Sequence, residues 1–272
     1  MLRILLVALT LGLTLGGVPM LAQADESALK RLDTGDDGRG WEGVGRLELA
    51  GRGFCTGALI APDLVLTAAH CLFDSVTGAR LNHEKIEFLA GWRNGRALAY
   101  RWVRRAVVHP SYVHNGEVVA ERVRNDVALL ELRHPIRNAR VEPFGTDKRP
   151  KTGQQVGVVS YARGRSEAPS LQEVCDVMAR QEGVLVMSCD VDYGSSGAPI
   201  FTFDGGAPRV VSVVSAMAEV DGQKVSLGTQ LLLPLEVLKA ELAAGKGGNA
   251  GTGPNMAEVG QVRDTGAKFA KP

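Results

Sequence analysis

From Trp41 onward the chain alternates short apolar runs with clusters of Gly, Pro, Asp and Asn. "VGRLELA", "GFCTGALI", "DLVLT", "KIEFLA" and "VALLEL" form one group. "QQVGVVSYA", "LQEVCDVMA", "VLVMSCDV", "APIFTF", "RVVSVVSAM" and "VSLGTQLLL" form a second. Runs of this length, bounded by turn formers, predict strands. Between the groups, Arg133–Pro150 carries Pro135, Pro143, Gly145 and Pro150 and has the composition of a loop. Near the end, "LPLEVLKAELAAG" places Pro234 at the start, apolar residues at Leu235, Leu238 and Leu242, and Gly245 just beyond. These start and stop signals predict a short helix. Two strand groups and a closing helix predict two small antiparallel barrels in one compact unit.

The flanks have a different character. The first residues, "MLRILLVALTLGLTLGGVPMLAQA", put one Arg before an apolar run that ends in Ala22-Gln23-Ala24. Small residues at that spacing predict a cleaved signal peptide over 1–24. Residues 25–40, "DESALKRLDTGDDGRG", are polar without an apolar period and read as a flexible leader or short propeptide. Residues 246–272 are Gly-rich and predict a disordered tail.

Composition narrows the partners. The 272 residues are 45% hydrophobic, enough for a substantial core, and 33 glycines suit many turns. Lys+Arg is 31 and Asp+Glu 30, so the net charge of +1 calls for neither nucleic acid nor an acidic membrane as partner. The basic stretch Arg101–Arg105 alternates with apolar residues, as the solvated face of a strand does. The cysteines, Cys55, Cys71, Cys175 and Cys189, all follow the signal segment. In an exported chain they favour two disulfides, and three pairings are possible. The sequence-local one, Cys55–Cys71 with Cys175–Cys189, closes two short loops and is the expected one. No Cys-x-x-Cys occurs and no His pair has zinc spacing near the cysteines, so no metal site is expected, and the chemistry read below requires no cofactor.

Three stretches carry chemistry. In "FCTGALIAPDLVLTAAHCL" a strand-like run ends in His70, between small residues and a cysteine. A general base needs such anchoring. In "RNDVALLEL", Asp126 heads an apolar strand. A carboxylate entering a buried edge needs hydrogen bonds, and a histidine Nδ1–H would supply one. In "DYGSSGAPI" two serines sit between glycines at a sharp turn. The order His70, Asp126, Ser is one of the known chain orders of a Ser-His-Asp triad. His83, His114 and His134 lie in polar surroundings and read as surface residues, and His109 as a strand-end residue without a catalytic role.

"LTAAHC", "NDVALLEL" and "GSSGAP" resemble the three catalytic motifs of the trypsin/chymotrypsin-like serine proteases, and "VVHPSY" resembles the segment before the Asp motif. "MSCDVDYGSSGAPIF", together with the leader, is most similar to the bacterial branch that includes the glutamyl endopeptidases. The resemblance covers about Trp41 to Gly245. It implies an all-β protein of two six-stranded Greek-key barrels, here a domain over 41–245 divided near 133–150. It implies an exported, periplasmic or extracellular serine endopeptidase that is monomeric, acts on proteins or peptides, and has no stable membrane association after signal cleavage. The family pattern Gly-x-Ser-Gly-x-Pro makes Ser196 the nucleophile, with the N–H groups of Gly194 and Ser196 as the oxyanion hole and Gly197 leaving room for substrate. Ser215, Ala216 and Met217 then fall on the wall of the substrate pocket. Asp190, six residues before Ser196, falls where a pocket carboxylate would bind Lys or Arg, or else is structural. Ser195 replaces the Asp that in digestive members pairs with a new N-terminus, so any activating cut, after Arg31 or Arg39, acts differently. The competing functions are a protease-like module that binds without turnover and an esterase using the same triad.

Overall fold

The two predicted strand groups become two closed six-stranded barrels. The computed structural model describes residues 28–115, 119–148, 150–204 and 206–248. The predicted signal peptide and nearly all of the predicted tail lie outside the described residues.

A two-residue strand, β1 (Lys30–Arg31), precedes the first barrel. That barrel consists of β2 (Val44–Leu49), β3 (Phe54–Ala61), β4 (Leu64–Thr67), β5 (Ile86–Ala90), β6 (Ala99–Val108) and β7 (Ala128–Leu132), with helix α1 (Ala120–Asn125) inserted before β7. It closes in the order β2-β3-β4-β7-β6-β5 through antiparallel pairs. A short β8 (Gly145–Thr146) then leads to β9 (Gln155–Ala162), β10 (Arg165–Gln181), β11 (Val184–Met187), β12 (Pro199–Thr202), β13 (Arg209–Val220) and β14 (Gln223–Gly228). These six close a second ring, β9-β10-β11-β14-β13-β12, because β12 and β10 both pair with β9. Helix α2 (Leu232–Ala243) is the last element among the described residues.

The patterning shows why some runs are continuous rather than alternating. Leu59, Val65 and Leu130 fill the first barrel, while their neighbours Ala58, Leu66 and Leu129 face a second cluster shared with Tyr161, Phe201 and Val213 of the other barrel. Strands β3, β4 and β7 therefore bury both faces, and a two-sided strand has no polar face to show. Val158, Leu185, Met187, Ile200 and Val211 fill the second barrel. Helix α2 begins two residues before the expected Pro234 and buries Leu235, Leu238 and Leu242 in the shared cluster. It packs on β6 and β7, and Arg105 donates to the Leu242 carbonyl near its C-terminus at 2.9 Å. The element that follows the second barrel thus clasps the first.

The described part of the predicted leader lies along the second barrel. β1 pairs with β10, and Leu32, 1% exposed, sits in the shared cluster with its N–H donating to the Pro169 carbonyl at 2.9 Å. Thr34 and Asp37 close a turn behind it, with Thr34 Oγ1 donating to Asp37 Oδ2 at 2.6 Å. A single well-placed leucine and an open strand edge suffice where no apolar period exists. Likewise the first residues after α2 are seated, with Ala106 N–H donating to the Gly247 carbonyl at 2.9 Å.

Candidate active site

His70 lies on a 3-10 turn, Ala69–Leu72, at the exit of β4. The turn is tied to β3 by the Cys55–Cys71 disulfide, with Cα atoms 6.3 Å apart. Asp126 lies between α1 and β7, its side chain only 3% exposed. Three donors converge on that carboxylate. Oδ1 accepts the His70 backbone N–H at 2.8 Å. Oδ2 accepts from His70 Nδ1 at 2.7 Å and from the Ser215 hydroxyl at 2.5 Å. Burial is the largest single influence on Asp126 and raises its pKa, but the charge and hydrogen bonds of His70 and the Ser215 hydroxyl outweigh it. The carboxyl is held below the usual carboxylate range. With Nδ1 as donor, the neutral imidazole keeps Nε2 as its free acceptor.

The turn Asp192–Gly197 is fastened from both barrels. Thr56 N–H of β3 donates to the Ser196 carbonyl at 2.9 Å, Thr56 Oγ1 to the Gly194 carbonyl at 2.9 Å, and Gly197 N–H to the Val214 carbonyl at 2.8 Å. Ser195 and Ala198 N–H groups are also used, by the carbonyls of Asp192 and Ser195. Among the described residues, the N–H groups of Gly194 and Ser196 have no acceptor. Gly194 has φ +100°, and a Cβ there would strike the Phe54 ring. Two unused donors on one turn suit a developing oxyanion.

Gly197 plays a different part from the expected one. Its φ is +75°, and a Cβ would lie 2.5 Å from the Thr56 carbonyl oxygen and 2.7 Å from Ala68 N. The space it leaves is filled by the first barrel, not left for substrate. Ser195 is fully buried and reaches Ser160 Oγ at 3.3 Å, while Ser196 opens on a cavity of about 720 Å³ that His70 and Asp126 also line. No hydrogen bond joins Ser196 to His70 among the described residues. Apo sites often show this looseness, which tightens when substrate binds.

The family model for the trypsin-like peptidase domain matches residues 55–209. The chain belongs to the trypsin-like peptidase family. Relatives agree. Human serine protease 23 is 27% identical over 164 residues, which cover 54% of this chain and 42% of that protein. The glutamyl endopeptidase of Bacillus licheniformis is 27% identical over 152 residues, covering 55% and 45%. The chain thus matches less than half the length of these relatives. A solved structure of a Glu endopeptidase superposes with a TM-score of 0.62 at 18% identity, over 75% of this chain and 91% of that one, and shows the shared fold.

Of the expected pocket positions, Ser215, Ala216 and Met217 line the cavity and Asp190 does not. Asp190 is exposed, does not line the cavity, and uses its N–H on Gln172 Oε1 at 2.8 Å. The Cys175–Cys189 disulfide is present and anchors the chain just before it. The Ser215 side chain is committed to Asp126 because β13 has a register shift between Val214 and Ala216, which turns that residue inward. Ala216 and Met217 line the cavity, and Met217 is 44% exposed rather than part of a core.

Sequence reasoning missed a residue that holds the turn bearing Ser196. Arg165 reaches behind it, donating to the Ser160 carbonyl at 2.8 Å and to Ser195 Oγ at 3.3 Å. A basic residue on a strand gives no sign of this. His83, expected at the surface, is buried against β6 with Nε2 3.1 Å from the Arg104 carbonyl. Burial pulls its pKa down. His114 is half-buried and stacked on Phe73, with ring centroids 4.3 Å apart. His134 is exposed, and the His109 ring accepts from Ser111 N–H at 3.3 Å. Cys55, Cys71 and His70 cluster within 4.8 Å, but both sulfurs are spent in the disulfide and offer no thiolate to a metal.

Proposed function

We propose that the protein is an exported serine endopeptidase working through His70, Asp126 and Ser196. The observation that carries this reading is the three-donor cradle of Asp126. It orients His70 so that Nε2 is directed to proton transfer, with Ser196 on the same cavity. Ser196 Oγ attacks a peptide carbonyl while His70 takes its proton. The oxyanion lies against the Gly194 and Ser196 N–H groups. His70 then protonates the leaving amine, and water, activated by His70, releases the acyl group from Ser196. Asp126 stays ionised and offsets the imidazolium charge. No metal or cofactor takes part in any step. Export is supported by the two disulfides, which persist in oxidising compartments, and by the apolar N-terminal segment with its small-residue cleavage site.

A fluorophosphonate probe tests the reading. The expected result is one label per chain, at Ser196, abolished in Ser196→Ala and reduced at least about a thousandfold in rate in His70→Ala. A folded, processed chain that takes no label is a binding module rather than an enzyme. Labelling with turnover of esters but no peptide points to the esterase.

A further inference from the structure

The cavity beside Ser196 has one distinctive half. On one side of the serine runs Val191–Gly194 and on the other Val214–Met217, and both segments line the cavity. Val191 packs on the second-barrel core, and Val214 is 3% exposed. The two segments meet at the serine turn, where Gly197 N–H donates to the Val214 carbonyl at 2.8 Å, so a peptide carbonyl held by the free N–H groups of Gly194 and Ser196 would bring its side chain to them. We propose that this half is an aliphatic specificity pocket, with Val191 and Val214 as its floor and Ala216 and Met217 as its wall, so that the enzyme cuts after residues such as valine, leucine and methionine. The inference rests on Ser196 being the nucleophile.

The charges nearby support the assignment: of the charged residues that line the cavity, Arg52, Arg122, Asp126, Arg163 and Asp192, only Asp126 is buried. Asp190 is exposed and outside the lining. The Asp126 carboxylate is engaged by His70 and Ser215. Asp192 is exposed, accepts from Tyr193 N–H at 2.6 Å, and has Arg165 among its electrostatic neighbours. Arg163, also exposed, lies over the Tyr193 ring at 4.6 Å. Arg52, on the first-barrel side, is paired with Asp74. A lysine or glutamate side chain entering this half would give up water and meet valines, at a cost that exposed rim charges do not offset. An aliphatic side chain gains from the same burial.

The test uses the full-length protein and peptide substrates that differ only in the residue before the cut: Val, Leu, Met, Phe, Lys, Arg, Glu and Asp. Enzyme concentration is set by fluorophosphonate titration. The expected kcat/KM for Val, Leu or Met exceeds that for Lys and Glu by at least about a hundredfold. Met217→Ala, at an exposed wall position, raises the Phe-to-Leu ratio about tenfold, and Asp190→Ala leaves the ranking unchanged. Labelled enzyme that prefers Lys, Arg, Glu or Asp, or a ranking indifferent to Met217→Ala, overturns the pocket assignment while leaving the nucleophile intact. A wild-type chain that takes no label removes both.

Discussion

Asp126→Asn isolates what the carboxylate does, because the amide is nearly the same shape. Oδ1 can still accept the His70 backbone N–H, now at 2.8 Å. The other position becomes an NH2 facing His70 Nδ1, now at 2.7 Å. Two donors cannot share that contact, so the imidazole must turn its lone pair to the amide and carry its proton on Nε2. That nitrogen then points a hydrogen at the cavity where it should accept one from Ser196. The Ser215 hydroxyl can rotate to accept from the amide, so the packing survives. The expected loss in kcat/KM at neutral pH is about 10³–10⁴-fold, or ~4–5.5 kcal/mol of transition-state stabilisation. The variant should keep its fold in circular dichroism, with a urea midpoint at neutral pH lowered by the loss of the ionised carboxylate's contribution. Steady-state hydrolysis of a good peptide substrate, with fluorophosphonate labelling rates in parallel, provides the assay. A folded Asp126→Asn enzyme within tenfold of wild type would refute the tautomer argument and the role given to Asp126.

Further outcomes follow from other contacts. Gly197→Ala forces a Cβ into the Thr56 carbonyl and Ala68 at φ +75°. It should destabilise the fold by about 3 kcal/mol or prevent folding, as read by urea denaturation. Leu32→Ala should cost about 2–4 kcal/mol in the same assay, since the side chain is buried in the shared cluster; a change under about 0.5 kcal/mol would mean the leader is not seated. Asp126 has a lowered folded pKa. Its stabilising contribution is therefore complete above the unfolded value of about 3.9 and is lost as pH falls through that range and past the folded value. Acid titration followed by tryptophan fluorescence should show Asp126→Asn losing less stability between neutral pH and pH 3 than wild type.

The two strand groups, the loop between them and the closing helix were legible because each rests on local patterning. His70, Asp126 and the serine turn stood out by their local motifs, but what holds them lies far away in the chain: Ser215 on Asp126, and Thr56 and Val214 on the serine turn. The disulfide pairing was legible from loop length alone. What escaped depends on contacts distant in sequence. Leu32 shows no period, yet one leucine beside a free edge of β10 is enough to seat the leader. Asp190 keeps its distance from the nucleophile in sequence, but the turn between them carries it out to solvent. The room beside Gly197 was assigned to substrate because nothing in sequence reveals that Thr56 and Thr67 already occupy it. Val191 and Val214 look like ordinary strand residues, and only the cavity they share with Ser196 gives them a role.

Cys55 and Thr56 are adjacent on β3, and each holds a different loop: the first the turn bearing His70, the second the turn bearing Ser196. The proposed base and nucleophile, His70 and Ser196, come from different barrels, yet both are moored to the same two-residue length of backbone. Relative breathing of the barrels therefore carries both loops along together. Alignment for proton transfer is set by one short common rail, and it tolerates motions that would misalign parts mounted on separate frames.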